Sequence, residues 1–199
     1  MKYAWLAIER EYGSGGDEVG RKVAELLGIP CYGREILDMA AERFNKRPED
    51  IEHLEEKATG SFMYSLFLMS QINSGKDERL TEGDRLTLAE DGIVRELFGK
   101  ESCVFVGRGA ARVLADEKKV LKVFIHADKE QRAARAIEKY GDSADSVMKK
   151  LDKMDKRREN YYNVNSESKW KDEDSYHMML DSGKLGIENC AKVIAEVMR

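Results

Sequence analysis

The residues most able to do chemistry lie near the start of the chain, where Gly13-Ser14-Gly15-Gly16 is followed at once by Asp17 and Glu18. Closely spaced glycines let successive backbone N–H groups turn toward one concavity. A helix starting just after them adds the positive end of its dipole, and the combination suits phosphate. A tight turn needing positive φ would use the same residues. The strict phosphate-loop spacing is GxxxxGK[ST]. Aligned on Gly15, this chain has Arg10 at the first-glycine position, Gly16 at the lysine position and Asp17 at the hydroxyl position. Arg10, Arg21 and Lys22 are the nearby cations able to replace the missing charge. Asp17 offers a carboxylate to a Mg²⁺ ion carried by a nucleotide, but without a metal it would repel phosphate.

Arginine suits phosphate because its planar fork makes paired contacts to oxygens. Arg108, between Gly107 and Gly109, follows an apolar run ending at Val106. It stands where the carboxyl end of a parallel strand binds ligand. Arg132 and Arg135 are three apart, so one helix face carries both. Residues 147–158 hold six basic and two acidic side chains, the most basic window in the chain, and include Asp155, Arg157 and Arg158. Arg34 and Asp38 are four apart, and Asp181-Ser182 reads as a turn.

The elements that must position these groups alternate. Residues 3–9 read as a buried strand, 17–28 as a helix stopped by Gly28, and 34–44 as a helix. An acidic stretch at 49–57 and an apolar, methionine- and aromatic-rich stretch at 62–72 precede a helix at 85–98. Strand 102–106, a short helix at 111–116, strand 120–126, helices 129–140 and 145–162, strand 175–180 and helix 187–198 complete the chain. Near-continuous apolar strands alternating with helices predict an α/β fold with a buried parallel sheet.

Composition bounds the rest. The 199 residues include 34 basic and 38 acidic side chains, a net charge of −4 that disfavours a nucleic-acid partner. No apolar run reaches the roughly 20 residues of a membrane span. The opening residues make a poor signal peptide, so a cytoplasmic location is the expectation. Cys31, Cys103 and Cys190 form no CxxC pair and are expected to be reduced structural thiols. His53, His126 and His177 form no metal-binding motif.

Four collinear segments resemble the cytidylate kinase-like family: Ile8-Glu9-Arg10-Glu11-Tyr12-Gly13-Ser14-Gly15-Gly16, Val106-Gly107-Arg108-Gly109-Ala110, Asp155 to Arg158 with Tyr161-Tyr162, and Trp170 with Tyr176 to Leu185. The resemblance spans residues 8 to about 190 and departs from cytidylate kinases in the absent lysine and in Gly109, which replaces an aspartate. It implies one P-loop, nucleoside-monophosphate-kinase-like unit, a parallel sheet flanked by helices. Its core would be 1–30, 100–128 and 175–199, with a helical acceptor-binding insertion at about 31–99 and a lid at about 129–165. The implied activity is ATP-dependent, Mg²⁺-assisted phosphoryl transfer to a nucleoside monophosphate, CMP or dCMP first. Gly13, Ser14, Gly15, Gly16 and Asp17 would hold ATP. Arg158, Arg157, Arg132, Arg135 and Arg10 would serve the moving phosphoryl group. Asp155 and Arg158 are three apart and share a helix face, so Asp155 is expected to orient Arg158. Arg34, Asp38, Arg108 and Asp181 would meet the acceptor. Two other readings stay open: a non-catalytic nucleotide-binding or regulatory protein that kept the fold, and an interaction module, possible as a homo-oligomer through the 62–72 stretch.

Overall fold

A computed structural model of the chain describes residues 2–47, 50, 82–163, 166 and 168–199. Most of the acidic stretch 49–57 and all of the apolar stretch 62–72 lie outside the described residues. The first strand, β1, is Trp5–Arg10, and helix α1 is Gly16–Leu27. Then come β2 (Cys31–Tyr32), α2 (Arg34–Arg43), α3 (Glu82–Lys100), β3 (Val104–Val106) and the single turn α4 (Ala110–Val113). β4 is Val120–His126, α5 Lys129–Tyr140, α6 Val147–Asn163, β5 Met178–Asp181, α7 Ser182–Leu185 and α8 Ile187–Met198.

The five strands form one sheet in the order β2-β3-β1-β4-β5, with every pair parallel. β1 lies at its centre, and Leu6 is level with Val104 on one side and Leu121 on the other. Side chains alternate faces along a strand. Leu6, Ile8, Val104, Val106, Val123 and Ile125 therefore pack on α1 and α8, while Ala7, Phe105 and Phe124 pack toward α2, α3 and Trp170. Burial on both faces is why these strands read as apolar runs rather than alternating ones.

Helix α1 turns Val19, Gly20 and Val23 to the sheet. It ends at Gly28, in the left-handed region at φ 64°, and Ile29 N–H donates to the Ala24 carbonyl at 3.0 Å. Two sequence expectations shift. The last strand begins at Met178 rather than Ser175, because the Asp172 side chain accepts from Asp174 N–H and folds Glu173–Ser175 into a 3-10 turn. The helix expected at 111–116 is one turn, Ala110–Val113. Cys31, Cys103 and Cys190 are free thiols, and burial pushes the Cys103 thiol up to about 12. No helix among the described residues is long and apolar enough to cross a membrane.

A Cβ on Gly20 would stand 2.5 Å from Val106 Cγ2, so this glycine sets how closely α1 approaches the sheet. Gly20→Leu is expected to lower stability by about 2 kcal/mol by overpacking that contact. The measurement is a urea denaturation midpoint, and an unchanged midpoint would contradict the assignment.

Candidate functional site

The chain leaves β1 at Arg10 and turns through Glu11, Tyr12, Gly13, Ser14 and Gly15 into α1. Gly13 and Gly15 sit at φ 79° and 76°, where side chains other than hydrogen are strained. There is no room for them either: a Cβ on Gly13 would lie 2.5 Å from the Arg132 carbonyl oxygen, and one on Gly15 3.0 Å from Arg135 Nε. No side chain among the described residues caps α1. Its first-turn N–H groups, which have no intrahelical acceptor, suit an anion. Ser14 contributes backbone only. Its hydroxyl donates to the Glu11 carbonyl at 2.8 Å, and its own carbonyl oxygen lies 2.6 Å from Ser182 Oγ.

A buried network fixes this loop to α5 and α6. Arg132, 6% exposed, donates from Nη1 to the Tyr12 carbonyl at 3.2 Å and to Asp155 Oδ2 at 2.6 Å. Its Nε lies 3.4 Å from Glu11 Oε2. The other Asp155 oxygen accepts from Tyr12 N–H at 2.7 Å. Asp155 thus orients Arg132 and the loop, whereas the three-residue spacing had pointed to Arg158. The Tyr12 hydroxyl donates to Asp142 at 3.0 Å, and Lys150 pairs with the same carboxylate. Arg135 pairs with Glu18 in the first turn of α1.

A second group is cationic. The Arg10 guanidinium reaches Asp17 at 3.2 and 3.4 Å, and its stem passes beneath Gly16. Of the three cations considered for the missing charge, Arg10 is the one at the loop. Arg21 pairs with Glu35 at 3.2 Å, and Lys22 pairs with Glu188. Arg158, reaching in from α6, donates to the Arg10 carbonyl at 2.9 Å and lies 5.7 Å over the Tyr12 ring. Burial and the neighbouring Arg10 push its guanidinium down to about 10. Gly107, Arg108 and Gly109 are all left-handed, at φ 70°, 56° and 62°. For Arg108 that is an uncommon backbone state. Arg108 donates to Glu90 at 3.1 Å, and the Tyr161 hydroxyl donates to the other Glu90 oxygen at 2.7 Å. Burial alone would raise the Asp17 carboxyl, but Arg10, Arg158 and Arg108 hold it below its ordinary value.

The remaining expected residues lie apart or are otherwise engaged. Arg157 is half-buried on α6, Arg34 is exposed at the start of α2, and Asp38 is half-buried one turn on. Asp181 caps α7, accepting from Gly183 N–H at 3.0 Å and Lys184 N–H at 3.1 Å. Sequence reasoning quoted Glu9, Glu11, Tyr12 and Tyr161 in its segments without giving them a role, and passed over Glu90. Tyr12 and Glu11 stood inside the singled-out loop segment, and a search for partners of the loop's own charges would have found them. Glu90 gave no signal, because only tertiary packing brings it to Arg108. Among the described residues no group of three or more His, Cys, Asp or Glu side chains could hold a metal ion. Asp17 fits the lesser role of one carboxylate to a Mg²⁺ that arrives with phosphates.

An all-parallel sheet with a glycine loop joining its central strand to an uncapped helix, and guanidinium groups gathered there, defines a P-loop kinase fold. The chain matches the cytidylate kinase-like family over residues 5–184 and belongs to that family. An uncharacterized protein from Eubacterium ventriosum shares the fold at a TM-score of 0.72 and 27% identity, with 97% of this chain and 96% of that one covered. Shikimate kinase from Bacteroides thetaiotaomicron aligns at TM-score 0.55 and 15% identity over 97% of both chains. Shikimate kinase from Acinetobacter baumannii, in complex with shikimate, aligns at 0.51 and 16% over 97% of this chain and 91% of that one. These kinases share the fold. A search of curated proteins finds no significant match.

Two outcomes test the site's construction. Asp155→Ala leaves Arg132 buried beside a lost partner and is expected to destabilise by about 3 kcal/mol in urea denaturation. Glu9, 4% exposed, is held by Trp170 Nε1 at 3.3 Å on one oxygen, while the other is buried with no hydrogen-bond partner among the described residues. Burial raises its carboxyl, against the lowering influence of Arg10. A carboxyl raised on folding binds its proton more tightly in the native state, so stability falls as pH rises from the unfolded value through the folded one. Denaturation from pH 4.5 to 8 is expected to show that loss in the native chain and its removal in Glu9→Gln; equal slopes would contradict it.

Proposed function

We propose that the protein is a phosphotransferase that moves the γ-phosphoryl group of ATP to a nucleoside monophosphate, with CMP or dCMP the first acceptors to try. The observation that carries this reading is the cationic cluster at the start of α1, where the Arg10 fork meets Asp17 and Arg158 donates to the Arg10 carbonyl. Phosphoryl transfer asks a protein mainly for positioning and for positive charge around the moving group. The cluster supplies the charge, and the buried Arg132–Asp155–Tyr12 network supplies the positioning. In this reading Gly13, Ser14, Gly15 and Gly16 present backbone N–H groups to the donor phosphates. Arg158 and its neighbour Arg157 reach over them from α6, while Arg132 and Arg135 act by holding the loop. Arg108 stands between donor and acceptor, and Arg34 and Asp38 on α2 receive the acceptor. Asp181 acts on the nucleotide only through the turn it caps. Mg²⁺, bound with the nucleotide and met by Asp17, would neutralise charge on the phosphate oxygens.

Residues 31–99 then form the acceptor region and about 129–165 the lid of one kinase unit working on cytoplasmic nucleotides. One observation favours a second reading, a nucleotide-binding protein without turnover: the lysine position is Gly16, and the next position, where the strict pattern has a hydroxyl, carries the acidic Asp17.

A coupled ADP-release assay over a panel of nucleoside monophosphates with ATP and Mg²⁺ separates the two. Turnover of CMP or dCMP is expected, and Arg158→Ala is expected to reduce kcat/KM at least ~100-fold. Nucleotide binding by calorimetry with no turnover across the panel would replace the first reading by the second.

A further inference from the structure

We propose that Arg10 is the phosphate-contacting cation of this loop, delivered from the end of β1 in place of a lysine on α1, and that Gly16 is glycine in order to let it pass. The inference deepens the phosphotransferase reading and rests on it for the identity of the ligand. Its ground is a reciprocal exchange. Where the strict pattern has glycine and then lysine six residues on, this chain has Arg10 and then Gly16.

The two positions compete for one volume. A Cβ on Gly16 would lie 2.5 Å from Arg10 Cβ and 2.7 Å from Arg10 Cγ, contacts that real side chains do not make. A lysine at 16 and an arginine at 10 therefore exclude each other, and either arrangement brings one cation to the loop. Gly107 completes the channel. It sits at φ 70°, and a Cβ there would collide with the Arg10 guanidinium. Arg158 donates to the Arg10 carbonyl at 2.9 Å and so holds the backbone from which the side chain springs.

Asp17 takes the place of the anion. It receives the Arg10 fork on both carboxylate oxygens, at 3.2 and 3.4 Å. Phosphate oxygens present the same paired acceptors. The Arg10 side chain is 13% exposed and the Asp17 side chain 48% exposed, so the carboxylate is the partner nearer solvent. An arriving phosphate thus replaces Asp17 on a guanidinium already in position. The energetic coupling of residues 10 and 17 should then govern affinity for phosphate itself, before any transfer.

The test is calorimetric titration with inorganic tripolyphosphate in magnesium-free buffer, with circular dichroism to check the fold of each variant. R10Q is expected to weaken binding at least ~10-fold, the scale of a lost charge-assisted pair. D17N is expected to tighten it several-fold, and that gain is expected to vanish in R10Q/D17N. R10G/G16K, which restores the strict pattern, is expected to recover most of the native affinity. Native affinity in R10Q, or a D17N gain that survives the loss of Arg10, overturns the proposal. Should R10Q unfold, R10M, equally neutral and closer to the arginine stem in shape, replaces it in the same cycle, with weakened binding expected and native binding overturning. Failure of the phosphotransferase reading would show differently, as absent turnover over the nucleotide panel with the tripolyphosphate cycle intact.

Discussion

One buried guanidinium, that of Arg132, holds three elements to each other. It binds the Tyr12 carbonyl from the loop and Asp155 from α6, while its own backbone lies on α5 and its carbonyl oxygen blocks any side chain at Gly13. Asp155 closes the circuit by accepting from Tyr12 N–H. A buried charge of this kind is tolerable only when its partners meet it in good geometry, and removing one partner leaves the other stranded. The loop's left-handed turn, the approach of α6 and the seat of α5 are therefore one interlocked arrangement. In it the basic helix stands as a wall fastened to the loop backbone at Asp155 and Arg158.

Around that fixture the cations are kept soluble in the interior by resident carboxylates. Arg10 has Asp17, Arg108 has Glu90 and Arg135 has Glu18. Arg158 rests instead on a carbonyl and a tyrosine ring, and its guanidinium is lowered first by burial and then by the neighbouring Arg10. The total charge of −4 gives no hint of this. Acids on several elements are spent holding arginines near one loop, and the bulk figure averages the two.

Much of the fold was legible because its signals are local. Apolar runs such as Val120–His126 mark strands buried on both faces, and Gly28 and Gly141 stop their helices in the left-handed region. Residue type also pointed to the loop and to Arg108 and Arg158. What was not legible was which protein groups each arginine meets. Arg132 and Arg135 have the spacing of a joint ligand contact, yet that spacing fixes only the helix face, and the partners on it, Glu11, Asp155 and Glu18, come from elsewhere in the chain. Asp181 reads as a polar turn residue from sequence, and its capping of α7 is visible only when the N–H groups of Gly183 and Lys184 are placed.

The departure of the loop from the strict phosphate-binding pattern takes a different meaning once volumes are considered. Read position by position, Gly16 is a lost lysine and Arg10 a misplaced arginine. Read as occupied space, the two are one substitution, since the stem of Arg10 fills the room that a side chain at Gly16 would need. The N–H groups of the first turn keep their orientation under either arrangement, because they are set by the left-handed glycines and by Arg132. Only the direction from which the cation arrives differs. A cation from the strand side lies against Gly107 and is tied to Arg158 through the Arg10 carbonyl, so loop, β3 turn and α6 share the placement of a single charge. A lysine on α1 would need none of those contacts. That added dependence explains why this loop is braced by so many buried side chains, and why its chemistry must be judged from the assembled site.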